Sequence, residues 1–208
     1  MRYHPRPGGR GGIGMNERHH LRACGRILWG VLLAMLACGA QATDAGDACR
    51  AALPDTLAAA VVREYPEFRA PLVTDNDPAD VAENLHRGGT GCLGLASADL
   101  DGDGVLDQVL ALTPLAGLQP LAVIALARAG QWVFRVIDSE VGMRVRLFVD
   151  VVPPGRYDRS ESLGPPRGAG EPRQVTCPLS GAIVGAVRAT GIVYCLVRGN
   201  WRRVVVVG

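Results

Sequence analysis

The sequence predicts an α+β fold, with N-terminal helices packed on an antiparallel β-sheet meander in a single domain. Three observations predict it. Residues 47–89 carry helix start and stop signals twice over, and residues 92–207 break into short apolar runs separated by turn residues. The 166 residues from Thr43 to Gly208 suit one domain with one core.

The elements follow in chain order. In "DACRAALPDTLAAAVVREYPEF" (47–68), Pro54 and Asp55 fit an N-terminal turn, and Leu57, Val61 and Val62 form an apolar stripe. Pro66 ends the helix, because the residue before a proline is pushed out of helical geometry. In "DNDPADVAENLHRGG" (75–89), Asp77 is the N-cap, Pro78 occupies the first turn and Gly88-Gly89 stop the helix. Its polar composition places it on the surface. Strands are expected at 92–98, 108–113, 121–127, 132–137 and 143–152, then at 182–187, 192–197 and 201–207. Ala129-Gly130 and Arg198-Gly199-Asn200 supply tight turns. Residues 155–174 are rich in Gly, Pro, Ser and charge, and read as a long flexible loop.

Residues 1–42 read as an N-terminal extension and a cleaved leader. "RILWGVLLAMLACGAQA" (26–42) is a short apolar run behind Arg18, His19, His20, Arg22 and Arg26, and it closes on Ala40-Gln41-Ala42. Basic flank, apolar core and small-x-small ending form a secretory signal with cleavage after Ala42. The run is too short for a spanning helix, so no stable membrane span is expected once the leader is removed. Lipidation at Cys38 is the less favoured alternative, since "MLAC" is a poor match to a lipobox. Met15 is a second candidate start, because residues 1–14 add nothing that a leader needs. A periplasmic or secreted location follows.

Charge excludes one partner class. Beyond Ala42 there are sixteen basic and nineteen acidic side chains, a net −3. Every basic residue is arginine, and only Arg202-Arg203 are adjacent, so the clustered stripe that nucleic acid requires is missing. Four cysteines remain after the leader, Cys49, Cys92, Cys177 and Cys195. An even number in an exported domain points to disulfides. Pairing Cys49 with Cys92 and Cys177 with Cys195 closes modest loops between neighbouring elements, and buried free thiols are the alternative. Zinc is disfavoured, with no C-x-x-C and only His86 beyond the leader.

The most distinctive stretch is "ASADLDGDGVLDQVLAL" (96–112). Counted from Asp99, carboxylates fall at positions 1, 3, 5 and 9 (Asp99, Asp101, Asp103, Asp107), with Gly104 at position 6 and Val105 at 7. That spacing suits a calcium loop: glycine permits the sharp turn, and alternating side chains converge on one hard cation. Without an ion such crowding opposes folding, at about 1 kcal/mol for two charges about 4 Å apart even in water. Calcium suits an all-oxygen set better than magnesium, which demands octahedral geometry and keeps its water. A plain solvated Asp/Gly turn is the alternative, although a turn alone does not require four spaced carboxylates.

An EF-hand does not fit, because position 12 is Leu110 instead of a bidentate Glu and the flanks read as strands. The order small residues, Asp-hydrophobe-Asp-Gly-Asp-Gly-x-x-Asp, then an apolar strand resembles the calcium loop of FG-GAP (VCBS-type) repeats. The resemblance covers residues 97–112 in a single copy. It implies Ca2+ held by the side chains of Asp99, Asp101, Asp103 and Asp107 and by the Val105 carbonyl. A propeller needs several blades in series, so the loop chemistry carries over and the propeller does not.

A catalytic constellation is not evident. His86 ends a surface helix, and no serine lies in G-x-S-x-G. Asp138 and Glu140 read as exposed charges at a strand end, Trp132 and Trp201 as packing residues, and Arg144 and Arg146 as a solvated face. Two readings of function stand. The first is a small exported module, stapled by one structural calcium, that serves as a binding or accessory part of the cell envelope with a protein or envelope partner. The second is an acidic-residue hydrolase with a calcium-assisted site.

Overall fold

The computed structural model describes residues 46–116, 119–138, 147–160, 171–186 and 190–207. The expected leader with its cleavage after Ala42, Cys38, Glu140, Arg144 and Arg146 lie outside the described residues, as does the middle of the expected 155–174 loop. The described residues belong to one compact unit.

Two helices open it. Asp47 caps α1 (Ala48–Ala52) by accepting from the amides of Cys49 and Arg50 at 2.9 and 3.2 Å. Pro54 then separates α1 from α2 (Asp55–Glu64), which buries Leu57, Ala60 and Val61. After β1 (Phe68–Arg69) and a 3-10 turn at Val73–Asp75 comes α3 (Pro78–His86). Asp77 caps α3 through the Ala79 amide, Pro78 opens it, and no residue of it is buried. Gly88 follows at φ +85°, a left-handed position that glycine fills without strain.

The remaining strands are β2 (Leu95–Ala98), β3 (Asp107–Pro114), β4 (Leu121–Arg128), β5 (Gln131–Asp138), β6 (Leu147–Val152), β7 (Gly155–Asp158), β8 (Gln174–Cys177), β9 (Gly181–Ala186), β10 (Thr190–Val197) and β11 (Asn200–Val207). One sheet runs β1-β3-β4-β5, with β2 also paired to β3. Because β1 meets Thr113–Pro114 and β2 meets 107–110, the two short strands line the same edge of β3 end to end. A second sheet runs β11-β10-β9-β6, and β7 and β8 form a hairpin of their own. The β4–β5 and β10–β11 hairpins turn on Ala129-Gly130 and Arg198-Gly199, all four at positive φ. Positive φ at both central positions is the primed turn whose twist matches antiparallel strands.

The expected α+β class, helices on a single antiparallel meander, is therefore corrected. Eleven strands among the described residues, all antiparallel, dominate three short helices, and they divide between two main sheets. Chain order breaks between β5 and β6, since β6 joins β9 in the second sheet. The physical reason lies in β3 and β4, which are apolar on both faces. Val109, Ala111, Ala122, Ile124 and Leu126 turn one way, onto Leu147, Val149, Ala182, Val184 and Tyr194 of the second sheet. Leu110, Leu112, Val123 and Ala125 turn the other way, onto Leu57 and Val61. A sheet covered on one face would leave the first set in water, at roughly 25 cal/mol per Å². The expected 155–174 loop is corrected at both ends too, because 155–158 and 174–177 pair as β7 and β8.

Both cysteine pairings occur: Cys49 with Cys92, and Cys177 with Cys195, each with Cα atoms 5.0 Å apart. The first ties α1 to the approach of β2, and the second ties β8 to β10. Two disulfides are consistent with an oxidising, extracellular location. Among the described residues no helix is long and apolar enough to cross a membrane.

Candidate metal centre

The aspartate loop is the connection between β2 and β3, whose register runs from Leu95 opposite Leu110 to Ala98 opposite Asp107. The loop thus springs from a closed pair, and Asp99 and Asp107 stand at its two feet. Gly102 and Gly104 both adopt φ +84°, a region that costs an L-residue roughly 1–2 kcal/mol. Their amides fold back onto Asp99, Gly102 to Oδ1 at 2.6 Å and Gly104 to Oδ2 at 3.0 Å. Asp101 Oδ1 accepts from the Asp103 amide at 3.3 Å, and Asp103 Oδ1 from the Val105 amide at 2.8 Å. Aspartates fold the loop locally because their short side chains reach amides two to five residues ahead.

Asp107 differs from the others. It is fully buried at the first position of β3, with one oxygen accepting from the Leu100 amide and the other from the Ala127 amide of β4, both at 2.9 Å. Burial raises its carboxyl above the ordinary value of 3.8. The amides of Ala127 and Leu100 oppose the rise, and the nearby charges of Asp101 and Asp103 add to it. Asp101 is clasped from outside the loop. Arg128, the last residue of β4, places Nε at 2.9 Å and an Nη at 2.7 Å from Asp101 Oδ2. The Asp101 side chain is only 6 % exposed and that of Arg128 52 %, so the pair is half-screened by water.

The structure brings three of the expected ligands together. Carboxylate oxygens of Asp99, Asp101 and Asp107 lie within 4.8 Å of one another. Oxygens around one calcium ion sit roughly 2.3–2.6 Å from it, so any two lie within about 5 Å. Hard, anionic oxygens at that separation fit a divalent cation. Asp103 stands outside the group, exposed and turned to the Val105 amide. Val105 and Leu106 occupy the outer rim, half-exposed or more.

Arg128 and Ala127 were missed by the sequence reading. The only signal was their place just before the Ala129-Gly130 turn, which sets the end of β4 opposite Gln131. A second polar cluster was also missed. Asp75 accepts from Arg69, from the Leu72 amide at 2.9 Å and from Thr113 Oγ1 at 2.7 Å. Burial works to raise its pKa, but hydrogen bonds from Arg69, Leu72 and Thr113 and the Arg69 charge outweigh burial and hold it low. Asp47 joins this region by accepting from the Val73 amide at 2.9 Å. These contacts fasten β1 and the 3-10 turn to β3.

The other candidates fall where packing places them. His86 is exposed at the end of α3. Trp132 packs beside the helices and donates to Thr56 Oγ1 at 3.1 Å, while Trp201 packs against the inter-sheet core. No family model, curated protein or solved structure matches the chain.

Proposed function

We propose that the chain is an exported, periplasmic or secreted, module whose FG-GAP-like loop holds one structural Ca2+, and that it serves as a binding or accessory part of the cell envelope. The observation that carries this reading is the approach of the Asp99, Asp101 and Asp107 carboxylate oxygens to within 4.8 Å around a buried Asp107. A cation among them offsets the desolvation of the Asp107 carboxylate and its repulsion with Asp101 and Asp103. Asp103 and the Val105 carbonyl are the two further ligands of the proposed set, and both residues belong to the exposed rim. The role is structural, because a loop between two paired strands offers no helix pair to open. The sequence of residues 15–42 supports export, and the two disulfides agree with an oxidising compartment.

Thermal melting tests it. Extracellular calcium loops commonly work at Kd values on the order of 10⁻⁴–10⁻³ M. At a calcium concentration ten times Kd, binding stabilises by about 1.4 kcal/mol, or about 3–6 °C in Tm for a domain of this size. Asp101→Asn keeps an acceptor for Arg128 while removing a ligand charge. The variant is expected to melt near the wild-type temperature in chelator and to lose the calcium shift. A shift of wild-type size in that variant would remove Asp101 from the site.

A further inference from the structure

The outer face of the second sheet is apolar and has an unusual cover. Val193, Cys195 and Val204 are buried there beneath Val175 and Cys177, with Ile183, Val197 and Val206 packed around them. The cover is the β7–β8 hairpin, whose strands pair as strands only with each other among the described residues. A lone two-stranded hairpin is marginal in water. The ties to its seat among the described residues include a covalent bond, Cys177–Cys195, a backbone hydrogen bond from the Ser160 amide to the Val205 carbonyl, and Glu171 between Arg159 and Arg203 at 3.0 and 3.3 Å. The seat is close-packed at Gly181, where a Cβ would stand 2.9 Å from both Cys177 Sγ and the Tyr194 carbonyl oxygen and 3.0 Å from Val152. The other two cores, one between the sheets and one beneath the helices, do not involve the hairpin.

We propose that the Cys177–Cys195 bond forms in a separate closing step, which seats the β7–β8 hairpin as a strap over an apolar sheet face that stays open in the dithiol form. In that step the two thiols give up two protons and two electrons. A disulfide donor such as oxidised glutathione accepts them and becomes two thiols. Both sheets and the metal loop are already folded in the dithiol form, because the core between the sheets and the core beneath the helices contain no residue of the strap. The Cys49–Cys92 bond has no part in the step, since it lies within the core beneath the helices. The chain thereby reaches its closed surface only where an oxidant is present.

Hydrogen exchange on the full chain with C177A/C195A tests this. Amides of β7 and β8 are expected to lose about tenfold or more in protection while β3, β4, β9 and β10 keep theirs, since sub-global units open independently. Binding of a hydrophobic dye should rise in C177A/C195A and not in C49A/C92A. In the wild type under native conditions, reduced glutathione should make Cys177 and Cys195 open to alkylation together with exposure of the hairpin. Unchanged hairpin protection in C177A/C195A would show that the strap seats without the bond. Loss of protection across both sheets would show that the bond serves the whole fold. Either result overturns the proposal.

Discussion

Asp107 carries the most consequence of any single residue, because one carboxylate closes the loop at Leu100 and fastens it to β4 at Ala127. Asp107→Ala leaves two amides without their acceptor, and chemical denaturation should show a loss of about 2–4 kcal/mol. The pH dependence separates the two perturbed aspartates. Asp75 is held low, so its contribution is present above 3.8 and is lost as pH falls through its folded value. Asp107 is raised, so in the metal-free protein its buried charge costs stability above its folded value, and protonation relieves that cost. Calcium needs the ionised form. The calcium-induced rise in Tm is therefore expected to shrink as pH falls and the Asp107 carboxyl protonates. The two loop glycines give a further check. Gly104→Ala should cost about 1–2 kcal/mol, from backbone strain alone, because nothing lies within 4 Å of its Cβ position. Gly102→Ala should cost more, since the same strain is joined by Leu179 at 3.0 Å. Equal losses in a denaturant titration of the two variants would contradict that ordering.

Local signals at the level of elements were readable where the physics is local. The Asp77-Pro78 start of α3, the Ala129-Gly130 and Arg198-Gly199 turns and the strand–loop–strand setting of the aspartates all follow from capping and φ preferences that act over a few residues. The β7–β8 hairpin was not readable. Its strands are four residues long, polar at alternate positions, and flank a Gly/Pro-rich stretch that dominates any local pattern. Only the sheet beneath it gives Val175 and Cys177 a place to bury. Arg128 illustrates the same limit at the site, because its meeting with Asp101 is made by the β3–β4 register and not by sequence distance.

At the scale of the whole molecule, the fold class failed for a reason that the strands themselves contained. Runs such as 121–127 are apolar at every position and so need cover on both faces, which one meander with helices on one side does not provide. A helical cover, two sheets and a strap satisfy them in turn. The aspartate loop hangs from the first sheet where β2, β3 and β4 meet, so an ion there would pin three strands at once. Isothermal titration of calcium into the purified protein is the decisive measurement for that ion. Uptake of one ion per chain is expected at submillimolar to millimolar concentration, and its loss in Asp101→Asn. No heat of binding at millimolar calcium, in protein whose two disulfides are intact, would contradict it.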